Sequence, residues 1–177
     1  VASRREGPVF PGSARLLESP LDEPVPPGVP SESSNAVARS VFRWPVRVYY
    51  EDTDAGGIVY YANYLRFFER ARTEWLRSLG GPSHSEIADA RDEVFVVRGV
   101  SIEYLRPARL DDMLELELAV AEGRRASLTL RQWAHRRGED ETLAEAQVRI
   151  AMIRRGDGRP VGLPDWLLQF IQPGTAR

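Results

Sequence analysis

The chain has no cysteine and only two histidines in 177 residues. Without cysteine there can be no disulfide, thiol nucleophile, iron–sulfur cluster or thiolate zinc site, and nothing favours an oxidising compartment, so a reducing cytoplasm is the expected setting. The histidines, His84 and His135, lie in separate segments without His-x-x-x-His or His-x-Glu spacing; both read as surface or packing residues, and no metal is expected. Long apolar runs are missing, as is the charged start and apolar stretch of a secretory signal, so no membrane insertion is expected. An excess of one charge is missing too. The 24 basic and 26 acidic residues are interspersed, with a formal net charge of -2, so there is no basic stripe for nucleic acid and any anion site must be local.

What remains is a composition suited to one domain, with 42% hydrophobic residues and enough length to bury a substantial core. Residues 1–40 hold about half of the prolines together with Gly, Ser and Glu and show no sustained apolar period, so they read as a disordered extension. The bland alternative is an overextended start, because the chain opens on Val1 and a compact domain, over residues 41–172, can begin near Val41.

FRWPVRVYY, from Phe42 to Tyr50, is β-branched and aromatic, with Pro45 placing its start at a strand end or edge. EDTDAGG then forms a tight loop. In the next segment, YYANYLRFFERARTEWLRSLGG, Tyr61, Tyr64, Leu65, Phe68, Ala71, Trp75, Leu76 and Leu79 recur at helical spacing opposite Arg66, Glu69, Arg70, Glu74 and Arg77. This predicts one long amphipathic helix, stopped by Gly80 and Gly81, with a short capped turn in SHSEIADARDE.

VFVVRGVSIEYL, LELELAV, ASLTLRQWA and LAEAQVRIAMI read as strands, with Gly99 as a bulge and PDWLLQFI as a closing helix. The polar turns RPARLDD, AEGRR and HRRGEDE predict that consecutive strands pair antiparallel by hairpins and near-hairpins. About five strands around one helix give an α+β hotdog arrangement, the sheet curling to cover the helix's apolar stripe. One helix covers only part of so long a sheet, so a homodimer or dimer-based tetramer is expected.

Asp54 carries the sharpest chemistry. A carboxylate in the loop before a helix shares space with that helix's unpaired N–H groups, which carry partial positive charge. An acyl carbonyl fits between them: Gly57 lets the backbone approach, the Tyr61 amide holds the carbonyl oxygen as charge develops, and Asp54 attacks or activates water. A thioester suits this equipment, because its thiolate leaves without protonation and no Ser-His-Asp triad is needed. An aspartate in this position alone is more often an N-cap or turn residue.

Its context points elsewhere. Arg47, Val48, Thr53, Asp54, Gly57, Ile58, Val59, Tyr61 and Tyr64 follow the signature of the 4-hydroxybenzoyl-CoA thioesterase family, which the chain resembles. FRWPVRVYYEDTDAGGIVYYANY, FERARTEWLR, FVVR and EYLRPARLDDMLEL are similar to its YbgC-like, Tol-Pal-associated acyl-CoA thioesterases, from about Phe42 to the last helix. The resemblance implies a hotdog fold and hydrolysis of acyl-CoA to free acid and CoA. It also implies contacts of Arg124 and Arg125 with the CoA phosphates, the alternative being a solvated hairpin turn; Ser127 is a weaker candidate. Members of the YbgC-like group often carry His at the place of Tyr61. The backbone amide survives that change, whereas 4-hydroxybenzoyl-CoA enzymes have Tyr there, so aryl substrates stay open. Tyr60, Tyr64 and Phe68 are candidates to line the acyl site or to be plain core. Glu69, within reach of Arg66 and Arg72, reads as a surface ion-pair partner.

Three other readings compete for the same residues. A calcium loop beginning at Asp52 fails because Gly56 and Asn63 occupy positions that need an oxygen donor and a bidentate Glu. A hotdog dehydratase needs a placed His. A noncatalytic hotdog that binds acyl-CoA or acyl carrier protein is the alternative from a different class.

Overall fold

The computed structural model describes residues 41–171; the extension expected over residues 1–40 and the last residue of the expected domain, 172, lie outside them. The described elements are β1 (Phe42–Arg47), a single 3-10 turn (Tyr50–Asp52), α1 (Asn63–Ser78), α2 (His84–Arg91), β2 (Glu93–Tyr104), β3 (Met113–Arg124), β4 (Ser127–Arg136), β5 (Thr142–Arg154), β6 (Pro160–Val161) and α3 (Asp165–Ile171). All strand pairs are antiparallel, in the order β1-β3-β4-β5-β2, with the short β6 on β5.

Period-two alternation puts Leu114, Leu116 and Leu118 of β3 and Leu128, Leu130 and Ala134 of β4 on one buried face. Against it lies the apolar stripe of α1, formed by Tyr64, Phe67, Phe68, Ala71, Trp75 and Leu76. Each fully buried leucine of this layer contributes roughly 1.5–3 kcal/mol, so α1 is held chiefly by its packing. The result is the α+β hotdog fold. Its far end is closed by α3, whose Ile171 fills the notch left by Gly123: a Cβ there would stand 1.7 Å from Ile171 Cγ2.

Three expectations need correction. The first strand ends at Arg47, because the chain then bends into the 3-10 turn, where the Asp52 carboxylate accepts the Tyr49 N–H at 2.8 Å. The long helix starts at Asn63, leaving Tyr60 and Tyr61 in the turn ahead of it. The segment RPARLDD is no near-hairpin, since β2 pairs with β5 while β3 lies between β1 and β4. It crosses the end of the sheet instead. Leu105 N–H and Arg106 N–H donate to the Leu143 carbonyl on one side, and Asp111 N–H donates to the Val48 carbonyl on the other.

Gly99 lies at the register shift between β2 and β5, as a bulge should. Among the described residues no helix is long and apolar enough to cross a membrane.

Candidate active site

The crossover segment and the start of α1 enclose the loop from Thr53 to Val59 between them. Thr53 and Val59 bridge antiparallel, and Asp54 N–H donates to the Ile58 carbonyl at 3.0 Å, which makes the loop a miniature hairpin. Its tip is an Asx turn: Gly56 N–H donates to Asp54 Oδ1 at 2.7 Å and Gly57 N–H to the Asp54 carbonyl at 3.0 Å. Gly57 adopts φ 72°, which favours glycine. A Cβ on Gly56 would crowd Asp54 Oδ1 at 3.0 Å. Both glycines thus serve the carboxylate, whose side chain stays exposed to solvent.

Two buried polar residues join this loop to the helix. Asp52, 4% exposed, and Asn63, 6% exposed, meet where Asn63 Nδ2 donates to the Asp52 carbonyl at 3.0 Å. The same carbonyl accepts the Tyr60 N–H at 2.9 Å. Buried polar groups of this kind are costly unless paired, so the pairings define one geometry for the loop. The crossover adds a second clasp, Val59 N–H donating to the Ala108 carbonyl at 2.8 Å, and Ile58 bridges Arg109.

The start of α1 has neither a side-chain cap nor an acid in its first turn. Asn63 N–H donates to the Tyr60 carbonyl and Leu65 N–H to the Ala62 carbonyl, while the Tyr61 N–H makes no hydrogen bond among the described residues. That donor sits at the positive end of the helix.

The Tyr61 ring belongs to a cluster of four tyrosines. The Tyr61 ring lies 4.6 Å from Tyr60 and 6.2 Å, edge-on, from Tyr104, and Tyr104 is 5.6 Å from Tyr64. Side-chain hydrogen bonding with Tyr61 raises the Tyr60 phenol above its ordinary value, followed by the neighbouring Tyr61 charge, burial and the Asp54 carboxylate. Burial, and then Tyr61, does the same to Tyr104. Tyr60, Tyr61 and Tyr104 are open to solvent, whereas Tyr64 is 3% exposed and its hydroxyl accepts the Ala108 N–H at 3.1 Å. Tyr64 therefore anchors the crossover from below, and Phe68 is plain core.

Arg124 and Arg125 lie elsewhere. They stand at the turn between β3 and β4, while Asp54 lies by the start of β3. The 12 residues of β3 put roughly 36 Å between the two ends at about 3.3 Å per residue. Arg124 Nε donates to Glu122 at 2.8 Å and borders an outer-face depression of about 380 Å³ shared with Ser127, Thr129 and Arg149. Glu69 accepts the Thr73 hydroxyl at 2.7 Å and forms no ion pair with Arg66 or Arg72 among the described residues, contrary to expectation.

Sequence reasoning overlooked Asn63, the structural part of Asp52, and Ala108. A polar residue one position before Tyr64, at the start of an otherwise apolar stripe, was the available signal for Asn63. Asp52 belongs to the turn-forming stretch EDTDAGG, but the sequence does not reveal that its carboxylate accepts the Tyr49 N–H.

Residues 56–143 match the family model described as thioesterase superfamily. The chain is 46% identical over 125 residues to the acyl-CoA thioester hydrolase YbgC of Escherichia coli O6:H1, covering 71% of this chain and 91% of that one. It is 44% identical over 123 residues to the acyl-CoA thioesterase YbgC of Haemophilus influenzae, covering 70% and 88%. Among solved structures, a probable thioesterase from Bartonella henselae superimposes with a TM-score of 0.66 at 34% identity, over 71% of this chain and all of that one. The family match runs from Gly56 through α1 and the sheet as far as Leu143, and the chain belongs to the thioesterase superfamily, with YbgC proteins among its relatives.

Proposed function

We propose that this protein hydrolyses acyl-CoA thioesters, with Asp54 as the catalytic carboxylate and the Tyr61 amide at the mouth of α1 as the oxyanion donor. The observation that carries the reading is the pairing of an exposed, hydrogen-bonded carboxylate with an uncapped helix start in one clasped loop. YbgC relatives named as acyl-CoA thioester hydrolases support it.

In the reaction, Asp54 takes a proton from water as the water oxygen attacks the thioester carbonyl carbon. The carbonyl oxygen becomes negative and is held by the Tyr61 N–H; collapse breaks the C–S bond, CoA leaves as thiolate, and the proton passes from Asp54 to solvent or thiolate. Gly57 keeps the approach to the carbonyl free of side chain. The exposure of Asp54 admits water to its carboxylate, which favours the base role over covalent attack; a single turnover in ¹⁸O-water should leave Asp54 unlabelled.

The CoA end needs a second copy of the chain. β2 is a sheet edge of 12 residues that leaves Val97 and Val100 51% and 44% exposed, the kind of edge a monomer rarely leaves bare. Antiparallel pairing of β2 with its symmetry mate brings the partner's β3–β4 turn to the same end as Asp54, so Arg124 and Arg125 of one chain serve the site of the other. The reaction belongs in the cytoplasm, where a chain without cysteine is at home. Acyl carrier protein thioesters are alternative donors of the same bond.

The test is thiol release from a panel of acyl-CoAs by wild type, Asp54→Asn and Asp54→Ala. Loss of about two to four orders of magnitude in both variants is expected; equal rates in all three would leave a binding module. Mixing Asp54→Asn with an Arg124→Ala/Arg125→Ala double variant should restore activity, because each mixed dimer holds one intact site. Failure of that mixture to regain activity over either parent places both ends in one chain.

A further inference from the structure

A partly buried cation stands apart from the Asp54 loop. Gln132, fully buried on β4, donates through Nε2 to the Phe68 carbonyl of α1 at 2.9 Å and accepts Arg72 Nη1 at 2.8 Å. No carboxylate pairs with Arg72 among the described residues: the neighbouring Glu69 is engaged with the Thr73 hydroxyl. Burial pulls the guanidinium below its ordinary value, opposed in part by Glu69. A guanidinium has five donors, and this one uses a single donor on Gln132. An ion in such a place is costly unless something completes its shell.

Arg72 forms one wall of a groove of about 490 Å³ between α1 and β2, floored by Leu65, Val97 and Val100 and edged by Arg66, Glu69 and Arg70. Three arginines face one glutamate, so the groove is apolar along its length and positive at its edges. Its Leu65 end lies in the first turn of α1, four residues after Tyr61, and Arg72 lies nine residues beyond the first residue of the helix. At about 1.5 Å per residue this is roughly 14 Å along α1. Arginine side chains lean back toward the helix start, and an extended chain advances about 1.2 Å per bond. An acyl chain of roughly eight to ten carbons bound at the mouth therefore ends at the guanidinium.

We propose that this groove takes the acyl chain and that Arg72 selects acyl groups ending in a carboxylate, that is, CoA monothioesters of medium-chain dicarboxylic acids. The proposal rests on the thioesterase reading and adds the substrate class to it. Apolar walls take the methylenes, the far carboxylate supplies the direct ion-pair contact that Glu69 does not make with Arg72, and pairing of β2 with a second copy closes the open side. A purely structural Arg72, tying α1 to β4 through Gln132, would favour neither end group.

The experiment compares decanedioyl-CoA with decanoyl-CoA. For the wild type, kcat/KM should favour the dicarboxylic thioester by roughly ten- to a hundredfold, the worth of one charge-assisted contact. Arg72→Met should bring the ratio to about one and Arg72→Lys should keep part of it. Two results overturn the proposal: a wild type that hydrolyses decanoyl-CoA at least as well, or an Arg72→Met variant that lowers both values in step and preserves the ratio. Calorimetric binding of the same two thioesters to Asp54→Asn reads the preference without turnover. If the wild type cleaves no thioester, the thioesterase reading falls, and that binding ratio still decides the role of Arg72: a preference supports it and equal affinities refute it.

Discussion

The starts of α1 and α2 are built on opposite plans. α2, only 8 residues long, opens with a full capping box: Ser83 Oγ accepts the Glu86 N–H at 3.3 Å and Glu86 Oε2 accepts the Ser83 N–H at 2.7 Å. α1 is twice that length, at 16 residues, and opens with no side-chain cap and no acid. The short helix buries little beyond Ile87 and relies on its termini, whereas the long one is fixed by a stripe of large buried side chains. With no side-chain cap on α1, the Tyr61 N–H in the turn before it stays unbonded among the described residues, and the Asp54 carboxylate stands on the loop that leads into that turn. On the proposed reading, the uncapped start of α1 beside a loop carboxylate differs in purpose from the capped start of α2, 21 residues on.

Disturbing the joint between Asp54 and α1 should have the largest effect. Asn63→Ala removes one of the two bonds to the Asp52 carbonyl, which keeps the Tyr60 N–H, and one lost hydrogen bond typically costs about 0.5–1.5 kcal/mol. We expect thermal stability to fall by that amount and kcat to fall by about tenfold, the second because the loop and the helix mouth lose their shared register. Unchanged kcat in a destabilised Asn63→Ala would separate the joint from the chemistry.

Ser83→Ala at the other helix should lose about 1 kcal/mol of stability, the usual worth of such a cap, with kcat/KM preserved. Calorimetry and the acyl-CoA assay on one preparation check both halves. Ala62→Asp tests the contrast from the opposite direction. An acid at the N-cap of α1, which Ala62 occupies, stabilises a helix start by about 0.3–1 kcal/mol, so this variant should melt higher and work more slowly, because the new charge competes with the developing oxyanion.

The smallest effect concerns pH. The backbone N–H of Ser83, and then its hydroxyl, hold the Glu86 carboxyl below its ordinary value of 4.5, with slight opposition from burial. A lowered folded value means stabilisation that is present above the unfolded value and lost as pH falls through the folded one. Glu86→Gln should therefore flatten the acid limb of the unfolding curve while leaving the neutral region nearly unchanged; Ser83→Ala should flatten it as well.

The element types were readable because their signals are local. Tyr64, Phe68, Ala71 and Trp75 recur with the helical period, and Leu114, Leu116 and Leu118 alternate with the strand period, each marking the face that the fold buries. The Asp54 loop was readable for the same reason, since its two glycines and its aspartate sit within four positions. Partnership across long distances was not. Nothing within RPARLDD distinguishes a hairpin turn from a strap across the sheet end, because that choice depends on β2 finding β5, which comes later in the chain. Tyr64 and Tyr61 share the helical stripe, yet only Tyr64 meets the Ala108 amide and is buried; the spacing assigns a face and leaves depth to tertiary packing. Asn63 and Gln132 escaped notice because a single polar residue in an apolar element reads as exposed until its partner is known.

The most direct measurement is isotope-edited infrared spectroscopy of the thioester carbonyl, ¹³C-labelled, in an acyl-CoA bound to Asp54→Asn. If the unpaired Tyr61 amide holds that oxygen, the stretch moves to lower frequency than in free acyl-CoA. A bound carbonyl absorbing at the free frequency contradicts the account, since the helix mouth would then make no contact with the group it is meant to polarise.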